Sequence, residues 1–229
     1  MSRVPVSRQS WVLGLILLLP GIVAVLATTY SWASPLTLLH DPFRISEFQS
    51  PLHPLMGALS SFGAIMLYCT SAIALFSAAI TSDHTCRKFL IYAGLLSSCL
   101  GTDDLFGFHD RVFREIFVRE AFVKAFFMVA QIVYIVAFWR VLKKLNYTIL
   151  VGALSLFATS MFLDSHFLHS LKFYSALSLS PGMADAWEDL PKLAGTVLWL
   201  WFHMLAARQI ITEGQSKGSA AQPAREPAE

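Results

Sequence analysis

Six apolar runs dominate this chain, each close to the length at which a helix crosses a bilayer. They cover residues 11–30, 55–80, 89–108, 121–139, 148–168 and 187–207, and short polar stretches separate them. Backbone inside lipid has no water to bond, so a spanning segment must satisfy its own N–H and C=O groups, as a helix or in a closed barrel. Barrel strands alternate apolar and polar residues over about ten positions, and no such alternation is present. The sequence therefore predicts an all-α fold, a polytopic membrane bundle of about six transmembrane helices forming one domain over 1–212. Composition agrees. Only 14% of residues are charged and the mean hydropathy is +0.58, against about a quarter charged in a typical soluble domain.

The length of run 11–30 favours a retained first helix over a cleaved signal peptide, and its cleavage-like ending Ser31–Trp32–Ala33 is imperfect. Residues 213–229, rich in Gly, Ser, Ala, Pro and charge, predict a disordered cytoplasmic tail. Lysines and arginines are modestly richer on the side that holds Arg87, Lys88, Arg140, Lys143 and Lys144. The positive-inside rule then puts both termini in the cytoplasm. A bacterial inner membrane, or an equivalent energy-coupling membrane, is the expected location. The cysteines Cys69, Cys86 and Cys99 form no CxxC pair and read as free thiols. No basic stripe points to nucleic acid.

This topology has a chemical consequence. Runs three and five travel outward and run six starts from the outside, so their polar residues meet at one end of the bundle. Those residues are Asp103, Asp104, His109, Asp110, Asp164, His166, His169, Glu188, Asp189 and Lys192. Ionisable groups at a membrane edge are costly and need partners. Carboxylates crowded in low dielectric take up protons unless cations intervene. Arg111, Arg114 and Lys192 are protein cations in range, and a divalent metal serves equally. Mixed carboxylate and imidazole ligands suit zinc, iron or manganese. The metal-ligand candidates are Asp103, Asp104, His109, Asp110, Asp164, His166, His169 and Glu188. The catalytic candidates are Asp104, Glu188 and Lys192.

Blander readings compete. The acids can be a structural ion-pair network with Arg111 and Arg114. Glu188 and Lys192, four apart, have the favoured order for an ion pair within a helix. His203 lies about 20 Å deeper by helical rise, beside Trp199 and Trp201, and reads as a packed histidine. HExxH, GxSxG, P-loop and GxGxxG motifs are absent. In polar inventory alone (Ser97 or Ser98, Asp103 or Asp104, scattered histidines) the chain resembles the alkaline ceramidase-like membrane hydrolases. Their last-helix HxxxH is missing here, since the last run holds only His203. No family is assigned on that basis.

The expectation is an integral membrane protein with an acid–histidine cluster at its extracytoplasmic end, a metal-dependent enzyme acting on a lipid-like substrate. The alternative is a non-catalytic assembly factor or subunit with membrane-protein partners. In a transporter, polar groups line the midplane, and runs one, two and four supply almost none.

Overall fold

A computed structural model describes residues 58–106, 120–163 and 181–220. Every element among them is an α-helix: α1 (Ala58–Ile80), α2 (His84–Phe106), α3 (Glu120–Ala137), α4 (Trp139–Leu142), α5 (Tyr147–Leu163) and α6 (Pro181–Ala220). Among the described residues, three segments are long and apolar enough to cross a membrane: Leu59–Ile80, His84–Phe106 and Asp189–Ser216. The apolar stretches Phe122–Ala137 of α3 and Tyr147–Leu163 of α5 are shorter. Run 11–30 lies outside the described residues.

Small residues set the spacing of these helices. Lipid tails are as apolar as leucine, so helices associate in a membrane by close contact, and small side chains permit it. At Gly94 of α2, a Cβ would lie 2.7 Å from Leu75 Cγ and 3.3 Å from the Ser71 carbonyl oxygen of α1. At Gly195 of α6, a Cβ would lie 2.9 Å from the Phe157 ring and 3.1 Å from the Ala153 carbonyl oxygen of α5. Gly101 faces Leu67 while Gly94 faces Leu75, so α1 and α2 are antiparallel. By the same logic α5 runs antiparallel to α6, through Gly195–Phe157 and Gly152–Leu198. Helix α6 also packs along α1.

The connection between α1 and α2 is only three residues long, 81–83, shorter than the polar turn over 81–88 that composition implies. Asp83 is the reason. Its Oδ1 accepts the backbone N–H groups of Thr85 (2.8 Å) and Cys86 (3.0 Å), capping α2 at its first turn. Arg87 then turns back, donating from Nε and Nη2 to the Thr81 carbonyl at 3.1 and 2.8 Å. Cys69, Cys86 and Cys99 are free thiols.

Helix α3 is held mainly by one buried cluster. Tyr134, Phe89, Trp199 and His203 are each fully buried. The His203 Nδ1 lies 2.8 Å from the Trp199 carbonyl oxygen, so it carries the proton and donates. Nε2 then accepts the Tyr134 hydroxyl at 3.0 Å. The Trp199 Nε1–H donates to Ser97 Oγ at 2.9 Å, and Ser97 donates to the Ala93 carbonyl at 2.7 Å. Helices α2, α3 and α6 are thereby joined by one chain of satisfied hydrogen bonds. Phe89 and Tyr92 stack on Tyr134 with centroids 5.4 and 5.8 Å away, and the Tyr92 hydroxyl donates to the Ala130 carbonyl of α3. His203 is thus a packed residue, as its aromatic neighbours in sequence imply.

The outside of the bundle is apolar. Phe76, Phe126 and Val136 are 69%, 65% and 71% exposed, a surface suited to lipid and an aggregation liability in water.

Helix α6 departs from the sequence reading at both ends. It starts at Pro181 rather than near Trp187, so Pro191 lies inside the helix and not in its first turn. Pro181 takes the first helical position, where a missing N–H costs nothing. At the other end the helix continues through 213–220, the beginning of the stretch that composition assigns to a disordered tail. Gln209 donates to Glu213 one turn on at 2.9 Å, which favours continuation.

Three variants test this packing. Gly195→Val forces α5 off α6 and is expected to destabilise the chain by about 1–3 kcal/mol. Gly214→Ala, with nothing within 4 Å of the added methyl, is expected to leave the thermal midpoint unchanged or slightly raised. Tyr134→Phe leaves His203 Nε2 buried without its donor and is expected to cost about 1–3 kcal/mol by the same thermal unfolding in detergent.

Candidate functional site

Alternation of helix direction brings five elements to one end of the bundle. The last turns of α2 carry Asp103 and Asp104. Helix α6 carries Asp189 and Lys192 at the same level, and α1 begins there. Lys192 Nζ donates to Asp104 Oδ1, an ion pair between helices 88 residues apart in sequence. Asp104 is 9% exposed by side chain and Lys192 is 42% exposed. The pair is thus buried on the acid side and open on the amine side. Gly63 of α1 makes room for it, since a Cβ there would lie 3.5 Å from Asp104 Oδ2. Two hydroxyls stiffen the surroundings. Thr196 Oγ1 donates to the Lys192 carbonyl at 2.9 Å. Thr102 Oγ1 donates to the Ser98 carbonyl at 2.7 Å and receives the Tyr68 hydroxyl at 2.9 Å.

A cavity of about 160 Å³ opens beside the pair. Its charged part is Asp103, Asp104, Lys124, Asp189 and Lys192. Its apolar part includes Leu67, Leu100, Phe127 and Phe157. Gln131, Ser160 and Thr196 add neutral polar groups. Helices α1, α2, α3, α5 and α6 all contribute. A second void of about 20 Å³, lined by Ser60, Asp104, Lys192 and Thr196 among others, lies between α1 and α6. That is room for about one water molecule with polar partners on several sides.

Of the sequence candidates, the structure brings Asp103, Asp104 and Lys192 together, with Asp189 beside them. The backbone of Glu188 lies in α6, and its side chain is outside the described residues. His109, Asp110, Asp164, His166 and His169 also lie outside them. The spacing on α6 offers Lys192 to Glu188; the structure shows it bonded across the bundle to Asp104. Periodicity sees pairs within a helix and is blind to partners on another.

Among the described residues, no group of three or more His, Cys, Asp and Glu side chains is placed to hold a metal ion. Asp103 and Asp104 are adjacent on one helix, and the Lys192 ammonium already engages Asp104 where a metal would neutralise it. These residues do not make a metal centre by themselves.

Lys124, Gln131, Ser160 and Thr196 line the cavity and were not singled out by sequence. A signal existed for two of them. Lys124 and Gln131 are seven apart in an otherwise apolar run, so they share one helix face, with Phe127 and Tyr134 interleaved. A polar stripe on an apolar helix faces protein or a cavity rather than lipid.

The profile of a protein family described as a domain of unknown function (DUF8692) matches residues 12–206. The chain belongs to that family. No curated protein and no solved structure matches it.

The exposure asymmetry of the ion pair gives a test. Lys192→Met strands the buried Asp104 and is expected to cost about 1–3 kcal/mol. This is below the roughly 3–5 kcal/mol of a fully buried pair, because Lys192 is partly solvated. Adding Asp104→Leu to Lys192→Met is expected to recover most of that loss. The measurement is a double-mutant cycle of thermal unfolding in detergent micelles.

Proposed function

We propose that this chain is a multi-pass membrane protein whose end cavity takes the polar head of a lipid-like molecule and acts on it as an enzyme. The cavity itself carries this reading: charged residues and an apolar wall share one space, at the end of a bundle whose outer surface suits lipid. An amphipathic molecule matches both halves of that lining at once, and small-molecule sites are typically apolar with a few placed polar groups. In the proposed site, Lys192 meets the polar head from the open side of its pair. Asp104 holds the ammonium in place. Phe127 and Phe157 face the first carbons of the chain.

The bundle's other end carries Arg87, Lys88, Arg140, Lys143 and Lys144, with Lys143 lying over the Trp139 ring at 5.1 Å. That pattern of basic and aromatic residues supports a cytoplasmic end there and an extracytoplasmic cavity.

One observation favours a second reading. The Lys192–Asp104 pair joins two helices by a direct bond, as in a structural network that fixes a bundle, and a non-catalytic subunit of a membrane complex needs no more than that.

The readings separate in one experiment. The full chain, extracted in a mild detergent, is examined by native mass spectrometry for retained lipid-like molecules. Ser160→Phe, which fills the cavity from α5, is expected to abolish retention without loss of folding. A chain that retains none, and binds no added lipid, overturns the enzymatic reading. A bound molecule that Ser160→Phe leaves in place shows that the cavity is not its site.

A further inference from the structure

At the end of the bundle opposite the cavity, the connection between α3 and α5 has two chemically distinct sides. Helix α3 ends at Ala137 and α4 starts at Trp139, with Phe138 at φ −108° and ψ 17° between them. The backbone N–H groups of Lys143, Lys144 and Leu145 donate to the carbonyls of Trp139, Val141 and Leu142, each at 3.0 Å. The near-helical turn therefore runs on past α4. Residues three and four apart on such a turn share a side. Val141, Leu142 and Leu145 occupy one side and are buried in the main core. Arg140, Lys143 and Lys144 occupy the other and are exposed. Burial of the apolar side anchors the turn to the bundle, and so holds the three cations at a set place on the surface.

Aromatic rings set the depth of those cations. The Trp139 ring is 6.2 Å from that of Tyr147, and the Lys143 ammonium lies over it at 5.1 Å, a cation–π contact. Trp139 is 44% exposed. Tryptophan and tyrosine collect where acyl chains meet head groups. Val136, one turn earlier on α3, belongs to the exposed apolar surface. The basic side thus begins where the lipid-facing surface ends, at the level of lipid phosphates. Among the described residues, the carboxylates of this end are Asp83 and Glu213. Asp83 caps α2, and Glu213 accepts the Gln209 amide.

We propose that Arg140, Lys143 and Lys144 form a docking site for anionic phospholipid of the adjoining leaflet, with Trp139 and Tyr147 against its glycerol and first acyl carbons. Each lysine or arginine near an anionic membrane surface is worth about fivefold in affinity, so three together give a preference of about a hundredfold over a zwitterionic lipid. Free phosphate meets the same cations but has no apolar part to set against the Trp139 ring. The site lies opposite the cavity and stands whatever the cavity binds.

The test uses the purified full chain in dodecyl maltoside micelles doped with phosphatidylglycerol or phosphatidylcholine of identical acyl chains. Bound lipid is counted by native mass spectrometry, with the Ser160→Phe chain run beside it to remove any contribution from the cavity. Phosphatidylglycerol is expected to bind about tenfold to a hundredfold more tightly than phosphatidylcholine, in both chains. The triple variant Arg140→Gln/Lys143→Gln/Lys144→Gln is expected to bring the two lipids to parity. Should it not fold, Lys144→Gln alone is expected to weaken phosphatidylglycerol binding about fivefold and to leave phosphatidylcholine unchanged. Soluble glycerol 3-phosphate in excess is expected to displace neither lipid. Equal binding of the two lipids by the unaltered chain overturns the proposal. So does a preference that the triple variant keeps, or that Lys144→Gln leaves unchanged, since the anion then binds elsewhere. Displacement by glycerol 3-phosphate overturns the lipid as occupant and identifies a phosphate site. A preference lost in Ser160→Phe puts the lipid in the cavity, which overturns this site and supports the other.

Discussion

Lipid supplies no hydrogen-bond partner, so every polar side chain inside this bundle has to find one in the protein. Two arrangements meet that demand and set much of the architecture. The chain Tyr134–His203 with Trp199–Ser97 ties α3 and α2 to α6 in the interior. The Lys192–Asp104 pair ties α6 to α2 at the end. Each links helices far apart in sequence, and each loses its partner if one helix shifts by a turn. They fix register where apolar packing alone is permissive, the best-attested use of buried polar groups.

The two devices have different consequences. The interior chain is closed: the imidazole uses both nitrogens and all its members are buried, which leaves nothing to meet a ligand. The end pair is open on its lysine side and borders a cavity. Glycine makes that opening compatible with tight packing. Gly63 lets α1 approach the pair, while Gly195 brings α5 against α6 so that Phe157 reaches the cavity wall. Stability and the candidate site thus draw on the same close contacts.

The ion pair also bears on how the acids at this end are read. A carboxylate that is 9% exposed needs a cation, and from sequence alone a metal and a lysine are equal candidates. The lysine holds Asp104. What borders the cavity, among the described residues, is a mixed-sign lining with apolar walls.

Hydropathy alone determined the helical class, the apolar outer surface and the meeting of Asp103, Asp104, Asp189 and Lys192 at one end, because length and alternation of direction decide depth in a membrane. The packed role of His203 was equally legible, from Trp199 one turn away and Trp201 beside it. Tertiary structure decided what depth does not encode. Lys192 pairs with Asp104 across the bundle. Tyr134 reaches His203, and Lys124 and Gln131 turn to a cavity rather than to lipid. Those choices depend on how each helix is rotated about its axis, and rotation is set by which small residues allow which neighbours to approach. That information is shared between helices and absent from the periodicity of any one of them.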